Sequence, residues 1–172
     1  MYPLGHLGIG TRILPARIRQ ALSWPWFAFG CLLPDLIDKP IFLAARLARH
    51  AGPINLAVLH NSRLFGHSLF LLGLLVLGAA AFPRAGWARA VAWGVATHLV
   101  LDLVPDLISG SRIAWPTWLV WPIFRWGLPF DSQRIEVAGL DFEGLLYFAG
   151  EAVGAALLGL EYARRRRASA FR

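Results

Sequence analysis

The sequence predicts an all-α fold, a helical bundle embedded in a membrane. Of its 172 residues, 57% are hydrophobic and only 16% are charged, and the mean hydropathy is +0.54. Soluble domains carry about 25% charged residues, so this deficit is typical of a membrane protein. The apolar runs have the length of helices, and alternating strand patterns are weak throughout. We expect one domain over residues 1–172, because no composition shift marks a boundary.

The charge distribution argues against a nucleic-acid-binding protein. The net charge is +7, yet long stretches carry no charge, and the arginines lie at the edges of apolar runs. A nucleic-acid-binding domain needs a charged face, so we expect the lipid bilayer as a partner and no nucleic acid. The single cysteine, Cys31, excludes an internal disulfide and a cysteine-based metal cluster. The first residues lack the pattern of a removable signal peptide.

The N-terminal part predicts short helices separated by prolines. Residues 5–20 form an amphipathic helix that Pro15 kinks, and "SWPW" at 23–26 forms a turn or a helix start. The apolar helix that follows is expected to stop near Pro34. Another helix is expected over residues 40–50, before "AGPIN" breaks it.

The rest of the chain predicts three spanning helices and one loop. Uncharged residues run from Ser68 to Pro83, a second apolar helix runs from about Ala88 to Ile108, and a third covers 142–163. Each approaches the ~20 residues that cross a ~30 Å hydrocarbon core, the first being somewhat short. Between the last two lies a segment rich in tryptophan and proline, which is typical of a re-entrant or interfacial loop.

Arginine placement predicts the topology of these helices. Arg84 and Arg89 lie between the first two apolar helices, and four consecutive arginines at 164–167 follow the last one. Positive residues favour the cytoplasmic side of a membrane. The sequence therefore predicts a multi-pass protein with its C-terminus in the cytoplasm.

Histidines and aspartates interrupt the apolar runs, where their burial is costly unless something compensates them. His98 and Asp102 are four residues apart and share one helix face. Folding the hairpin 67–108 near Gly86 brings His67 toward both of them, at the non-cytoplasmic end. The alternative is a buried His98–Asp102 hydrogen-bonded pair that fixes helix packing.

A second hairpin predicts the same convergence from the N-terminal side. Folding about "SWPW" brings His6 toward Asp35 and Asp38, at the membrane depth of the first group. Imidazole nitrogen and carboxylate oxygen are good ligands for Zn²⁺ and similar metals, and a cation offsets the cost of buried carboxylates. A catalytic metal site activates water for attack on an ester or phosphoester. Asp38 has an alternative role as a helix N-cap.

Five short motifs occur in one order between residues 5 and 116: "GHLGIG", "GCLLPDLID", "RLFGHSL", "HLVLDL" and the "WP" of "SGSRIAWPT". Together they resemble the bacterial membrane-bound metal-dependent hydrolases of the LexA-regulated inner-membrane type. The resemblance implies an inner-membrane protein with a His/Asp metal centre. The candidate metal ligands that it implies are His6, Asp35, His67, His98 and Asp102, with Asp38 as a ligand or a partner of the ligands.

The order of these histidines and aspartates is also similar, more distantly, to that of zinc-dependent phospholipase C, which implies phosphoester cleavage. The chain departs from the hydrolase pattern at Ser62-Arg63 and at Gly66, where the family often has His-Arg and a threonine. His60 lies two residues before Ser62. No histidine follows His98, so we expect one or two zinc ions rather than three.

The remaining predictions concern the general base, the substrate-binding residue and Glu151. Asp35 or Asp38 is the expected catalytic general base, and Arg63 is the expected binder of a substrate phosphate or carboxylate. The alternative is that Arg63 helps to set the membrane topology, or that its side chain extends to place the charged end at the membrane surface. Glu151 is isolated in the last apolar helix and needs a partner, so it is expected to act as an acid, an added ligand or the partner of an arginine.

The sequence thus predicts a membrane-bound metal-dependent hydrolase that cleaves an ester or phosphoester of a lipid-like or membrane-accessible substrate. The alternative is a non-enzymatic membrane scaffold or regulator, in which the same residues form a structural metal site or a polar network. A third interpretation is a small transporter, with His98, Asp102 and Glu151 along an ion path.

Overall fold

The computed structural model of the chain describes residues 3–51, 63, 65–108, 119–122 and 142–170. All secondary structure in these residues is helical, which confirms the predicted all-α fold. The helices are α1 (Pro3–Ile13), α2 (Ala16–Ala21), α3 (Trp24–Ala51), α4 (Leu69–Ala81), α5 (Gly86–Ile108) and α6 (Phe142–Ala170). Helix α5 contacts α1, α3, α4 and α6, so it is the central element of the bundle.

The predicted helix over residues 5–20 is two helices rather than one kinked helix. Helix α1 ends at Ile13 and α2 begins at Ala16, and Pro15 lies between them in an extended conformation. A proline disfavours the helical conformation in the residue before it, so the break falls just ahead of Pro15.

The predicted helix stop near Pro34 is wrong. Helix α3 runs without interruption from Trp24 to Ala51 and contains both Pro34 and Pro40. A proline inside a helix costs about 3 kcal/mol, but α3 packs along α5 in the most extensive helix contact of the described chain, and Pro34 is fully buried. Packing against a neighbouring helix therefore outweighs the local preference, as it does in membrane helices.

The predicted helical hairpin after residue 67 is present. Helix α4 begins after Ser68, whose hydroxyl accepts a hydrogen bond from the backbone N–H of Leu71 at 3.2 Å and caps the helix. Helix α5 follows after the turn at 82–85. The Trp/Pro-rich loop lies outside the described residues except for 119–122, where the carbonyl of Leu119 accepts from the N–H of Leu69 at 2.8 Å.

Helix α6 extends beyond its predicted end at residue 163. It continues to Ala170 and includes the four arginines, which have high helix propensity. Within α6 the segment Leu145–Arg164 has the length and apolar composition to cross a bilayer, and it is the only such segment among the described residues. Helix α4 is apolar, but its 13 residues cover only about 20 Å. Of the three expected spans, the last one alone meets this criterion.

Helices α1 and α6 approach so closely that their contact requires glycine. A Cβ atom placed on Gly154 would overlap the carbonyl oxygen of Leu4, and one placed on Gly8 would overlap that of Gly154. Small residues that let two backbones touch are the usual device for packing helices in membranes. This contact fixes α1, which carries His6, against the rest of the bundle.

This contact predicts different effects for two glycine substitutions in α6. Gly154→Ala should lower the melting temperature of the detergent-purified protein, because overpacking costs about 1–3 kcal/mol. Gly159→Ala should leave it unchanged or raise it, because a Cβ there meets nothing within 4 Å and alanine is the better helix former by about 1 kcal/mol. Equal melting temperatures for the two variants would contradict the close approach.

Candidate metal centre

The polar residues that interrupt the apolar runs are buried together inside the bundle. His6, His67, His98 and Asp38 are among the largest fully buried side chains of the described residues. Asp35 and Asp102 are also buried. These side chains come from α1, α3, α5 and the turn before α4. The structure therefore brings all of the sequence-predicted metal ligands to one place.

Helix α5 supplies His98 and Asp102 from one face. The Nε2 atom of His98 lies 3.6 Å from Oδ2 of Asp102, as expected for a spacing of four residues. The other ring nitrogen, Nδ1, lies 2.6 Å from the backbone carbonyl oxygen of Cys31. Since the carbonyl can only accept, Nδ1 carries a proton, and in the neutral imidazole the lone pair of Nε2 is directed into the cluster. This is how ligand histidines are oriented in metal sites.

Asp38 orients His67 through its Nδ1 atom, as the carbonyl of Cys31 orients His98. The Oδ2 atom of Asp38 lies 2.7 Å from Nδ1 of His67 and accepts a 3.2 Å hydrogen bond from the His67 backbone N–H. Its Oδ1 atom accepts from the backbone N–H of Gly66 at 2.8 Å. A side chain at residue 66 would lie 2.5 Å from the carbonyl oxygen of Pro34, so only glycine lets the turn approach α3.

The two oriented histidines face each other. Their Nε2 atoms are 3.1 Å apart, and Nε2 of His67 lies 3.4 Å from Oδ2 of Asp102 and 3.5 Å from Oδ1 of Asp35. Zinc–nitrogen and zinc–oxygen bonds of ~2.0–2.1 Å in a tetrahedron place ligand atoms about 3.3 Å apart. The spacing of these donor atoms therefore fits one small divalent cation.

His6 enters the cluster from α1. Its ring stacks on the ring of His98, with the centroids 3.8 Å apart, and its Nε2 atom lies 3.3 Å from Oδ1 of Asp102. Neither ring nitrogen of His6 has a partner in hydrogen-bonding geometry within the described part of the chain. A buried imidazole without a hydrogen bond is costly, and coordination of a cation would compensate it.

The donor atoms form two overlapping sets of three, each with its atoms within 4.8 Å of one another. One set is His67, His98 and Asp102, and the other is His6, Asp35 and His98. His98 belongs to both sets, but only its Nε2 atom faces the cluster, because Nδ1 lies on the carbonyl of Cys31. The two sets are therefore alternative ligand sets around the ion that His98 would hold, and a second ion would need the other residues. Asp38 belongs to neither set, since its oxygens accept from Gly66 and His67.

The comparison with known protein families agrees with a composition that is typical of a membrane protein. A family model described as YdjM inner membrane protein matches residues 1–167. The chain belongs to this family. No curated protein and no solved structure matches the chain. As a member of the YdjM inner membrane protein family, the protein combines an inner-membrane assignment with a buried His/Asp cluster that could hold a metal.

Two ion pairs lie at the cluster of this YdjM-family protein. Asp102 pairs with Arg63, with Nε and Oδ2 3.3 Å apart, and Asp35 pairs with Lys39 at 2.6 Å. With Asp38 included, three described carboxylates face two permanent cations. A divalent cation held by the histidines would add positive charge beside these carboxylates and lower the cost of burying them.

Sequence reasoning missed two of the supporting groups. Lys39 is four residues after Asp35 on α3, and this spacing was the available signal for their ion pair. The carbonyl of Cys31 has no sequence signal, because every residue carries a backbone carbonyl. Both groups fix the position of a candidate ligand.

Glu151 has a structural partner that none of its expected roles included. Its carboxylate accepts hydrogen bonds from the backbone N–H groups of Leu4 at 3.2 Å and Gly5 at 2.8 Å. These N–H groups belong to the first turn of α1, whose positive dipole end favours a carboxylate. Glu151 therefore caps α1 from the neighbouring helix and holds the helix that carries His6. His60 lies outside the described residues.

Proposed function

We propose that this protein is a membrane-embedded, metal-dependent hydrolase that cleaves an ester or phosphoester of a lipid-like or membrane-accessible substrate. The observation that carries the proposal is the 3.1 Å approach of the Nε2 atoms of His67 and His98 beside Oδ2 of Asp102. Two imidazole lone pairs and a carboxylate oxygen aimed at one point are a donor set for zinc. In this proposal the whole chain is one domain that crosses the inner membrane several times, with its C-terminus in the cytoplasm.

The residues divide into metal ligands and groups that position them. His67, His98 and Asp102 would hold the first ion, and His6 and Asp35 would complete its coordination or hold a second. Asp38 positions His67 through two contacts with His67 itself and one with the backbone N–H of Gly66. Loss of a partner in this role typically weakens metal binding 10–100-fold. A bound divalent cation would supply Lewis-acid activation of both water and the substrate.

The carboxylates differ in their access to substrate. The side chain of Asp35 is 12% exposed, compared with 4% for Asp102 and 0% for Asp38. Asp35 is therefore the better general base of the two that the sequence suggested. Arg63, whose side chain is 15% exposed next to Asp102, would bind an anionic group of the substrate at the rim of the cluster.

Turnover by the purified protein tests the proposal. We expect hydrolysis of p-nitrophenyl butyrate, bis-p-nitrophenyl phosphate or a fluorogenic phospholipid that is lost on treatment with EDTA and restored by Zn²⁺. The control is the same treatment of a protein with no metal site in the same detergent. Turnover that survives complete chelation would contradict metal-dependent hydrolysis.

A second candidate function is a membrane scaffold with a structural metal. The burial of the cluster favours it, because His6 and His98 are 0% exposed and structural zinc sites are closed. Under this alternative EDTA lowers the melting temperature, and no substrate of the panel is turned over with the metal bound. That result would favour the scaffold over the hydrolase.

A further inference from the structure

A cleft lies at the end of the bundle away from the His/Asp cluster. It has a volume of about 450 Å³ and is formed by the C-terminal part of α1, α2, the start of α3 and the second half of α6. Along α3, Phe27 of the cleft and Asp35 of the cluster are eight residues apart, which is about 12 Å at 1.5 Å per residue. The volume is in the range of small-molecule sites, about 300–1,000 Å³. The cleft is therefore a separate site.

The inner wall of the cleft is apolar. Leu22, Trp24 and Phe27 form one side, and Leu157 and Leu158 of α6 form the other. Leu157 and Leu158 belong to the segment that has the length and composition to span a bilayer. An acyl chain that lies along this segment can enter the cleft without leaving an apolar environment.

The rim of the cleft is basic. Arg12 contacts Glu161 at 2.9 Å, and this pair closes one side. Arg19 is exposed, and its contact within the described residues is a long one, 3.5 Å from Nη1 to the carbonyl oxygen of Thr11. Its guanidinium is therefore the cation that an anionic group at the rim would meet first.

The surroundings of the cleft are those of a membrane–water boundary. Trp26 of α3 contacts Trp87 of α5, with the ring centroids 5.7 Å apart, so the turn before α5 lies at the same end as the start of α3. The exposed arginines 17, 84, 89, 164, 166 and 167 belong to helix ends and turns at this end. Exposed tryptophans and arginines together are typical of the headgroup region of a bilayer.

We propose that this cleft binds one anionic phospholipid, with its phosphate on Arg19 and one acyl chain between the leucines of α6 and Phe27. Charge complementarity selects the anionic headgroup, and the apolar wall selects a lipid over a free phosphate. The site does not depend on the hydrolase activity proposed above, because it shares no residue with the His/Asp cluster.

Native mass spectrometry of the full-length protein in detergent tests the site. We expect about fivefold stronger retention of dioleoyl phosphatidylglycerol than of dioleoyl phosphatidylcholine, because one arginine near an anionic headgroup is worth about 1 kcal/mol. Arg19→Gln should remove this preference. Arg17→Gln, an arginine of the same helix that does not line the cleft, should keep it. Inorganic phosphate at the same concentration should not displace the lipid.

A second variant tests whether the lipid binds in the cleft or on the outer surface of the protein. Leu158→Trp fills the apolar wall without changing the charge, so it should reduce retention of both lipids. Equal retention of both lipids by the wild type would overturn the proposal. Equal losses in Arg17→Gln and Arg19→Gln, or unchanged retention in Leu158→Trp, would also overturn it, since each result means diffuse binding outside the cleft.

Discussion

Purified wild-type protein is expected to contain stoichiometric metal, and His98→Ala is expected to contain about a tenth of it or less. His98 is the residue shared by both donor sets, and its Nε2 atom lies 3.1 Å from that of His67. Loss of a group that only orients a ligand typically weakens metal binding 10–100-fold. Loss of the shared ligand should therefore cost more than about 100-fold. Element analysis of protein purified without added metal measures the difference.

The control for this experiment is Thr97→Val. Thr97 precedes His98 on α5 and is equally buried, and its hydroxyl donates to the carbonyl of Gly94 at 2.8 Å. Valine has nearly the same shape, so this variant disturbs the same part of α5 without touching the donor atoms. It should retain the wild-type metal content. Circular dichroism verifies that both variants keep their helices. Full metal occupancy in His98→Ala would mean that the cluster is not the metal site.

The convergence of His67, His98 and Asp102 was predictable because it follows from local geometry. Residues four apart share a helix face, and two antiparallel helices joined by a short turn pair in a fixed register. The two apolar runs marked the helices, and Arg84 and Arg89 marked the turn. Their role as ligands stays a prediction that the metal measurement tests.

The shape of α3 was not predictable by the same reasoning. Pro34 and Pro40 are local signals for a helix end. The packing that keeps the helix intact across them cannot be seen in the local sequence. The outcome depends on α5, which lies more than 30 residues later in the chain and packs along α3, where Pro34 and Cys31 are buried. The same holds for the carbonyl of Cys31 beside His98, since backbone contacts between distant helices leave no sequence pattern.

Asp102→Ala is expected to lower both metal content and stability. Its carboxylate lies within 3.6 Å of donor atoms of His6, His67 and His98, and Oδ2 is 3.3 Å from Nε of Arg63. Removing one partner of a buried ion pair typically costs about 3–5 kcal/mol. A control is Glu161→Gln, because the pair of Glu161 with Arg12 is partly exposed and worth at most about 1 kcal/mol. The melting temperature and the metal content of each variant are the measurements.

The double variant Asp102→Leu/Arg63→Met distinguishes the loss of metal from the loss of stability. Replacing a whole buried ion pair with apolar residues of similar volume is often neutral or stabilising. The double variant should therefore recover the part of the stability that Asp102→Ala loses by leaving Arg63 unpaired, while its metal content stays low because the carboxylate oxygen is still missing. Recovery of the metal together with stability would show that Asp102 serves only to compensate Arg63. Loss of the metal in a stable double variant assigns the carboxylate to the ion itself.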